Sequence, residues 1–192
     1  MKYFTSDWHL GHEGSITFMK RPFANLEEME DYFVKTMWGL PKGSELYHLG
    51  DCAWNTKALE HFLKRKPAWI GLHLIYGNHD NRVNFNILKR YINSLDDIKT
   101  IKIDDQKIVL CHYPMAVWNC SCYNSWQLHG HIHKISPPYK SIGKQLNVNV
   151  EFTDYKPVSY DEVVELMKDK EEHPEYIEIK KRFVRETGID IY

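Results

Sequence analysis

The side chains of this protein that can do chemistry are grouped by type: aspartate, asparagine and histidine stand together, directly after short apolar runs, in five places. These are Asp7 with His9, Asp51, Asn78 with His79, His112, and His131 with His133, in a chain that holds 11 histidines in all. Carboxylate and carboxamide oxygens combined with imidazole nitrogens suit divalent Mn, Fe, Zn or Ni better than a metal that demands thiolates alone. More donors are present than one catalytic cation with an open position can use. Each residue taken singly has a plainer explanation. A lone histidine is more often a hydrogen-bonded structural group, Asp51 can cap the segment that follows it, and Asn78 suits a turn in Gly77-Asn78-His79-Asp80. Only the set points to metal.

These residues need strands to deliver them. Lys2 to Ser6 reads as a first strand and Leu46 to Leu49 as another ending at Gly50-Asp51, while the last part of Ile70 to Tyr76 forms a strand that delivers Gly77-Asn78-His79-Asp80. In an extended chain, residues two apart point to the same side, so Asp7 with His9 and His131 with His133 can each present a convergent pair. Between the strands, Asn25 is the expected helix cap with Glu28 at the third position. The spacing of Leu26, Met29, Phe33 and Met37 continues that helix to a stop near Gly39-Leu40-Pro41. A second helix is expected from about Thr56 to Lys66. Thr100 to Ile103 and Lys107 to Leu110 flank Asp104-Asp105-Gln106 as a hairpin whose second strand leads into His112. Trp126 to His129 leads into Gly130-His131-Ile132-His133, and Gln145 to Val150 alternates as a strand should. Ser159 with Glu162 is a capping box before a helix to roughly Lys170, and another helix is expected over Tyr176 to Glu186, before Gly188. The elements predict an α/β sandwich, a single domain over residues 1–192, with its loops gathered at one edge.

Asp7-Trp8-His9, Gly50-Asp51, Gly77-Asn78-His79-Asp80, His112 and Gly130-His131-Ile132-His133 follow one another in the order of a known pattern. They resemble the signature of the calcineurin-like metallophosphoesterase family, and Tyr3 to His12 with Arg21-Pro22-Phe23 resembles its small single-domain bacterial and phage members. The resemblance implies a β-sandwich flanked by helices, in four layers α/β/β/α. It implies two divalent cations, manganese first with iron, zinc or nickel as alternatives. Asp7, His9, Asp51 and His133 would hold one cation and Asp51, Asn78, His112 and His131 the other, with Asp51 bridging. It implies hydrolysis of a phosphodiester or phosphomonoester by attack of a hydroxide held between the metals, with no serine or cysteine nucleophile. His79 would then face the substrate, donating a hydrogen bond to phosphate or a proton to the leaving oxygen, and Asp80 would orient and charge that imidazole.

Two other readings stay open beside this one. A nuclease or nucleotide phosphatase can use the same site, and a non-catalytic metal-binding scaffold can keep the fold, although every ligand position and His79 are filled here. With no evident cap segment over the cleft, a small diester is the expected substrate. His12 reads as a residue that supports the ligands or the fold, with contact to phosphate as the alternative, Arg82 as a candidate phosphate contact, and Asn147 and Asn149 as either site contacts or strand residues. The segment Met115 to Ser125, with Trp118 and Tyr123, is either one wall of the cleft or an ordinary loop. His48, His61, His73, His129 and His173 match no motif and read as surface or packing residues.

Composition narrows the field further. Hydrophobic residues at 43% and charged residues at 27% are near the globular average. No stretch is apolar enough to span a bilayer and no signal peptide opens the chain, so a cytoplasmic location is expected. The formal net charge of −1 gives no global attraction to a polyanion. Basic runs at Lys64-Arg65-Lys66 and Lys180-Lys181-Arg182 read as solvated helix faces. The four cysteines form no C-x-x-C pair, and Cys52 and Cys111, though next to candidate ligands, read as small packed hydrophobes.

Overall fold

The computed structural model describes residues 1–189. In chain order the strands are β1 (Lys2–Thr5), β2 (Glu45–His48), β3 (Gly71–Ile75), β4 (Ser94–Asp96), β5 (Ile98–Ile103), β6 (Gln106–Cys111), β7 (Trp126–His129), β8 (Gln145–Asn147) and β9 (Val158–Ser159). The helices are α1 (Gly14–Phe18), α2 (Leu26–Trp38), α3 (Thr56–Lys64), α4 (Tyr160–Lys168) and α5 (Pro174–Thr187).

Local chemistry sets the helix ends within about two residues of where the sequence placed them. The Asn25 side chain accepts from the Glu28 N–H at 2.9 Å, satisfying one orphan donor of α2, and the Glu28 carboxylate reaches back past the cap to accept from the Ala24 N–H at 2.6 Å. At α4, Ser159 and Glu162 form the full reciprocal capping box. Helix α5 starts on Pro174, whose missing N–H costs nothing at a first helical position, and stops at Gly188 in a left-handed conformation.

The strands form two sheets. One has the order β4-β3-β2-β1-β9, parallel from β1 to β4 with β9 antiparallel at its edge; the other has the order β5-β6-β7-β8, an antiparallel hairpin followed by parallel pairs. Alternation along the first sheet sorts its side chains between two cores. Leu46, Leu72 and Leu74 face Met29, Phe33, Met37, Leu59 and Phe62 of α2 and α3. Phe4, Tyr47 and Ile75 face Ile108, Leu110 and Leu128 of the second sheet, with Val163 and Met167 of α4 closing the edge. The expected mixed α/β sandwich, two sheets flanked by helices, is therefore the architecture found.

Two differences from the sequence reading concern ends of strands. β8 stops at Asn147 rather than continuing to Val150, and Val150–Phe152 turns into a short 3-10 helix capped by the Asn149 side chain. β1 stops at Thr5, with Ser6 making only an isolated bridge to Asn149. That bridge stitches the first sheet to the second at the carboxyl ends of their parallel strands, where the loops after β1, β2, β3, β6 and β7 all open. In open α/β sheets this edge is the usual ligand site. Among the described residues no helix is long and apolar enough to cross a membrane.

Phe62 is wholly buried between α3 and the first sheet while Tyr123 is 71% exposed. Phe62→Ala should therefore lower unfolding stability by about 3–5 kcal/mol and Tyr123→Ala by no more than about 0.5 kcal/mol, read from urea denaturation midpoints.

Candidate metal centre

The loops after β1 and β2 run side by side beyond the sheet. Asp7 N–H donates to the Gly50 carbonyl and His9 N–H to the Asp51 carbonyl, both at 3.0 Å, and Leu10 pairs with Ala53. Extended-chain alternation is not what makes Asp7 and His9 converge, contrary to the sequence reading. Asp7, His9, Asp51 and His131 all have positive φ, at 60°, 53°, 55° and 68°. Left-handed backbone at a residue other than glycine is uncommon, and its recurrence at four candidate ligands is the conformational cost of turning their side chains to one point.

Two glycines make room for this approach. A Cβ at Gly77 would overlap the Asp51 backbone nitrogen and carboxylate, and one at Gly130 would overlap the Asp7 carboxylate and Ser6 hydroxyl. The glycines of Gly77-Asn78-His79-Asp80 and Gly130-His131-Ile132-His133 are thus required by closeness of packing, not by φ.

The donors fall into two groups: Asp7, His9 and His133 in one, and Asp51, His112 and His131 in the other. In the first, His9 Nε2 lies 3.9 Å from Asp7 Oδ1 and 3.4 Å from His133 Nε2, and His133 Nε2 lies 3.6 Å from Asp7 Oδ1. In the second, His112 Nε2 lies 3.4 Å from Asp51 Oδ2 and 3.1 Å from Asn78 Oδ1, and the His112 and His131 ring centres are 5.1 Å apart. Asp51 stands between the groups, its Oδ2 also 3.8 Å from His9 Nε2 and 3.9 Å from His79 Nε2. Two ligands each about 2.1 Å from one cation, at tetrahedral or octahedral angles, stand about 3.0–3.4 Å apart, so donors now 3.1–3.9 Å apart need close by no more than about half an ångström to share one. The donor chemistry fits as well, because imidazole nitrogens at such distances, unless bridged by a proton or a cation, face each other with lone pairs.

Charge distribution agrees with cation binding. Burial raises Asp7 despite His112, His133 and the Ser6 hydroxyl that donates to it at 2.5 Å. Burial acts the same way on Asp51, but the His112 hydrogen bond and charge, His9 and the His79 N–H outweigh it and hold that carboxyl below the usual range. Burial pushes His9 well down and lowers His131, which also feels the His112 charge. Burial works against the charged form of His112 too, yet Asp51, Asp7 and the Leu49 carbonyl push it up to about 9. A proton on His112 is thus the substitute for a cation beside Asp51, and metal uptake must displace it.

A ring of outer contacts fixes the donors. The Leu49 carbonyl accepts from His112 Nδ1 at 2.8 Å, leaving Nε2 for the centre. Glu151 lies 2.8 Å from His133 Nδ1, accepts from the Lys134 N–H at 3.0 Å, and pairs with Arg21 at 3.2 Å. Arg21 in turn donates to the Asp7 and Trp8 carbonyls at 2.7 and 2.9 Å, so one buried chain ties the first loop to His133. The sequence reading named Arg21 without a role and missed Glu151. Its only signal in the sequence is position, one residue past the Gln145 to Val150 stretch read as strand. Asn147 and Asn149 do contact this ring, donating to the Ile132 carbonyl at 2.8 and 3.3 Å.

The Asp80 side chain is placed otherwise than expected. Its carboxylate accepts from the backbone N–H groups of Asp51, Cys52, Ala53 and Gly77 at 2.9–3.3 Å, and not from the His79 ring. Burial still raises its pKa to about 6. Asp80 holds the loop that carries Asp51, while the half-exposed His79 ring stands 5.4 Å from His9 and 5.3 Å from Trp54. His12 stacks on Trp54 and is not in either donor group. Cys52 and Cys111 are buried and outside both groups, and His48, His129 and His173 are buried packing residues.

No family model matches the chain. An uncharacterized protein of Methanocaldococcus jannaschii, MJ1445, is 30% identical over 175 residues, which cover 86% of this chain and 90% of that protein. The crystal structure of a protein of unknown function from Aquifex aeolicus, AQ665, superposes with a TM-score of 0.70 at 29% identity, covering 86% of this chain and 98% of that one. Two solved structures superpose less closely. A Pseudomonas putida nuclease, MPE, gives a TM-score of 0.46 at 18% identity over 69% of this chain and 61% of that one, and an archaeal phosphodiesterase 0.43 at 16% over 77% and 81%.

Two measurements test the centre. Glu151→Gln should weaken divalent-cation binding about 10–100-fold at the group containing His133, read by calorimetry against protein stripped with chelator, because the imidazole loses its anionic partner. The second concerns pH. A raised His112 contributes stability that is complete below its ordinary value of 6.5 and is lost as pH climbs toward 9; a depressed Asp51 contributes stability present above 3.8 and lost below it. Since cations compete for the deprotonated imidazole, the melting-temperature gap between metal-loaded and stripped protein should widen from pH 6.5 to 9; a constant gap would contradict this.

Proposed function

The chain belongs to the family of the Methanocaldococcus jannaschii protein MJ1445, and for this member we propose a dimetal phosphoesterase activity of the calcineurin-like metallophosphoesterase type. The observation that carries the proposal is the pair of donor groups meeting at Asp51. Asp7, His9, Asp51 and His133 would hold one divalent cation, and Asp51, Asn78, His112 and His131 the other. Manganese is the first choice, with iron, zinc or nickel also suited to oxygen and imidazole donors. When bound, such a pair supplies Lewis-acid charge for the phosphoryl oxygens and an activated water as nucleophile.

The protein's own groups supply the rest. Only Asp7 and Asp51 among the proposed ligands are anions, so the centre keeps a positive balance that attracts phosphate. The His79 ring, 38% exposed and 3.9 Å from Asp51 Oδ2, lies at the open side, where it can donate to a substrate oxygen or to the leaving group. Asp80 fixes the loop that presents Asp51 and His79, since it also takes the Gly77 N–H. The formal charge of −1 favours a small phosphate ester over a polyanionic nucleic acid.

Metal-loaded protein should contain two divalent ions per chain by elemental analysis and hydrolyse nitrophenyl phosphate esters with Mn, Ni or Zn. His79→Ala should lose about 10²–10⁴-fold in kcat with metal content retained. Asp51→Asn should lose both activity and metal. Full turnover in both variants, or none by wild type with any metal, would count against this function.

A further inference from the structure

Outside the two donor groups, a cationic side chain beside the open face has, among the described residues, no partner for its hydrogen-bond donors. Arg82 ends the short 3-10 turn Asp80–Arg82, which follows His79 directly. Its guanidinium carbon lies 3.9 Å from the centre of the Trp54 ring. An approach that close is possible only over the ring face, so the guanidinium is pinned against the indole by cation–π attraction. His12 is stacked on the same indole, with ring centres 4.0 Å apart and planes 7° from parallel. His79 stands 5.3 Å from it, and His79 Nε2 in turn is 3.9 Å from Asp51 Oδ2. One tryptophan thus links the exposed arginine to the centre.

The indole holds the guanidinium face while leaving its edge, and the N–H donors on that edge, free. Among the described residues no carboxylate or carbonyl accepts from them. A planar fork with unused donors, held in one orientation, is a recognition device for phosphate oxygens, and a flexible ammonium would not reproduce it. The number of oxygens decides which phosphate. A phosphodiester has two unesterified oxygens, which two cation positions around Asp51 can take between them. A phosphomonoester has a third and a second negative charge, for which Arg82 is the uncommitted fork on the His79 side.

Building on the phosphoesterase reading, we infer that Arg82, laid on Trp54, recognises a terminal phosphate and turns the site toward phosphomonoesters. This departs from the diester expected from the sequence, where the uncovered cleft was the only guide.

Two experiments separate this inference from the reading beneath it. Calorimetric titration of inorganic phosphate into manganese-loaded protein should show at least tenfold weaker binding for Arg82→Ala than for wild type, with unchanged metal content. Arg82→Lys, which keeps the charge and loses the fork, should recover only part of that affinity, and Trp54→Leu should weaken binding in the same direction. In turnover, the ratio of kcat/KM for nitrophenyl phosphate to that for bis(nitrophenyl) phosphate should fall at least tenfold in Arg82→Ala, a change that general damage to the fold would not produce. Equal phosphate affinity in wild type and Arg82→Ala, no phosphate binding by wild type, or an unchanged ratio would overturn the role of Arg82. If wild type hydrolyses neither ester, the phosphoesterase reading falls, and the phosphate titration still decides whether Arg82 binds the anion.

Discussion

A carboxylate taken out of water needs positive charge or hydrogen-bond donors around it, and Asp51 is the residue of this fold where that requirement is most demanding. It is almost wholly buried, yet held ionised by imidazoles from two different sheets' loops and by the His79 N–H. Asp80 then grips the backbone at Asp51 and just after it, and Gly77 lets that backbone pass close. The same requirement is repeated at Asp7, whose carboxylate accepts from the His131 N–H at 3.2 and 3.3 Å across the sheet boundary. The seam between the sheets is therefore apolar through its depth and charged at one rim, and the rim is where two cations would complete the neutralisation.

Holding four candidate ligands in the left-handed region costs of order 1–3 kcal/mol each, which no isolated loop could sustain. The surrounding hydrogen bonds make the alternative worse. Releasing Asp7 from its strained conformation would break its N–H bond to Gly50, and relaxing His9 would break the one to Asp51. Beneath these loops Trp8 is packed against Phe33, Phe62 and His48, so the strained turn is anchored in the core of the first sheet. The geometry of these candidate ligands is in this way set by the hydrogen bonds and packing around them.

The two sides of the centre differ in how they are closed. Behind His133, Glu151 and the buried Arg21 form a chain in which both terminal nitrogens of the guanidinium are engaged, on Glu151 and on the Asp7 and Trp8 carbonyls. Beside His79, the indole of Trp54 carries Arg82 with its donors unused and exposed. One flank supports the ligands and the other is turned to what arrives from solvent, a division of labour that follows from which arginine found an internal acceptor.

Residue identity and order by themselves picked out the candidate donors and determined the helix caps at Asn25 and Ser159, the hairpin before His112 and the α/β class, because each of these rests on local chemistry or on a periodicity a few residues long. Tertiary structure alone decided how the donors meet. Strand alternation predicted that Asp7 and His9 share a face, but left-handed turns after β1 bring them together, and φ at a non-glycine residue is set by neighbours far along the chain. It also decided that Asp80 serves the Asp51 loop instead of the His79 ring, that Glu151 stands behind His133 although 18 residues separate them, and that Arg82 lies on Trp54. A side chain's partner depends on which acceptor, donor or ring the folded chain brings within a few ångströms, and no pattern of spacing along a sequence encodes that distance.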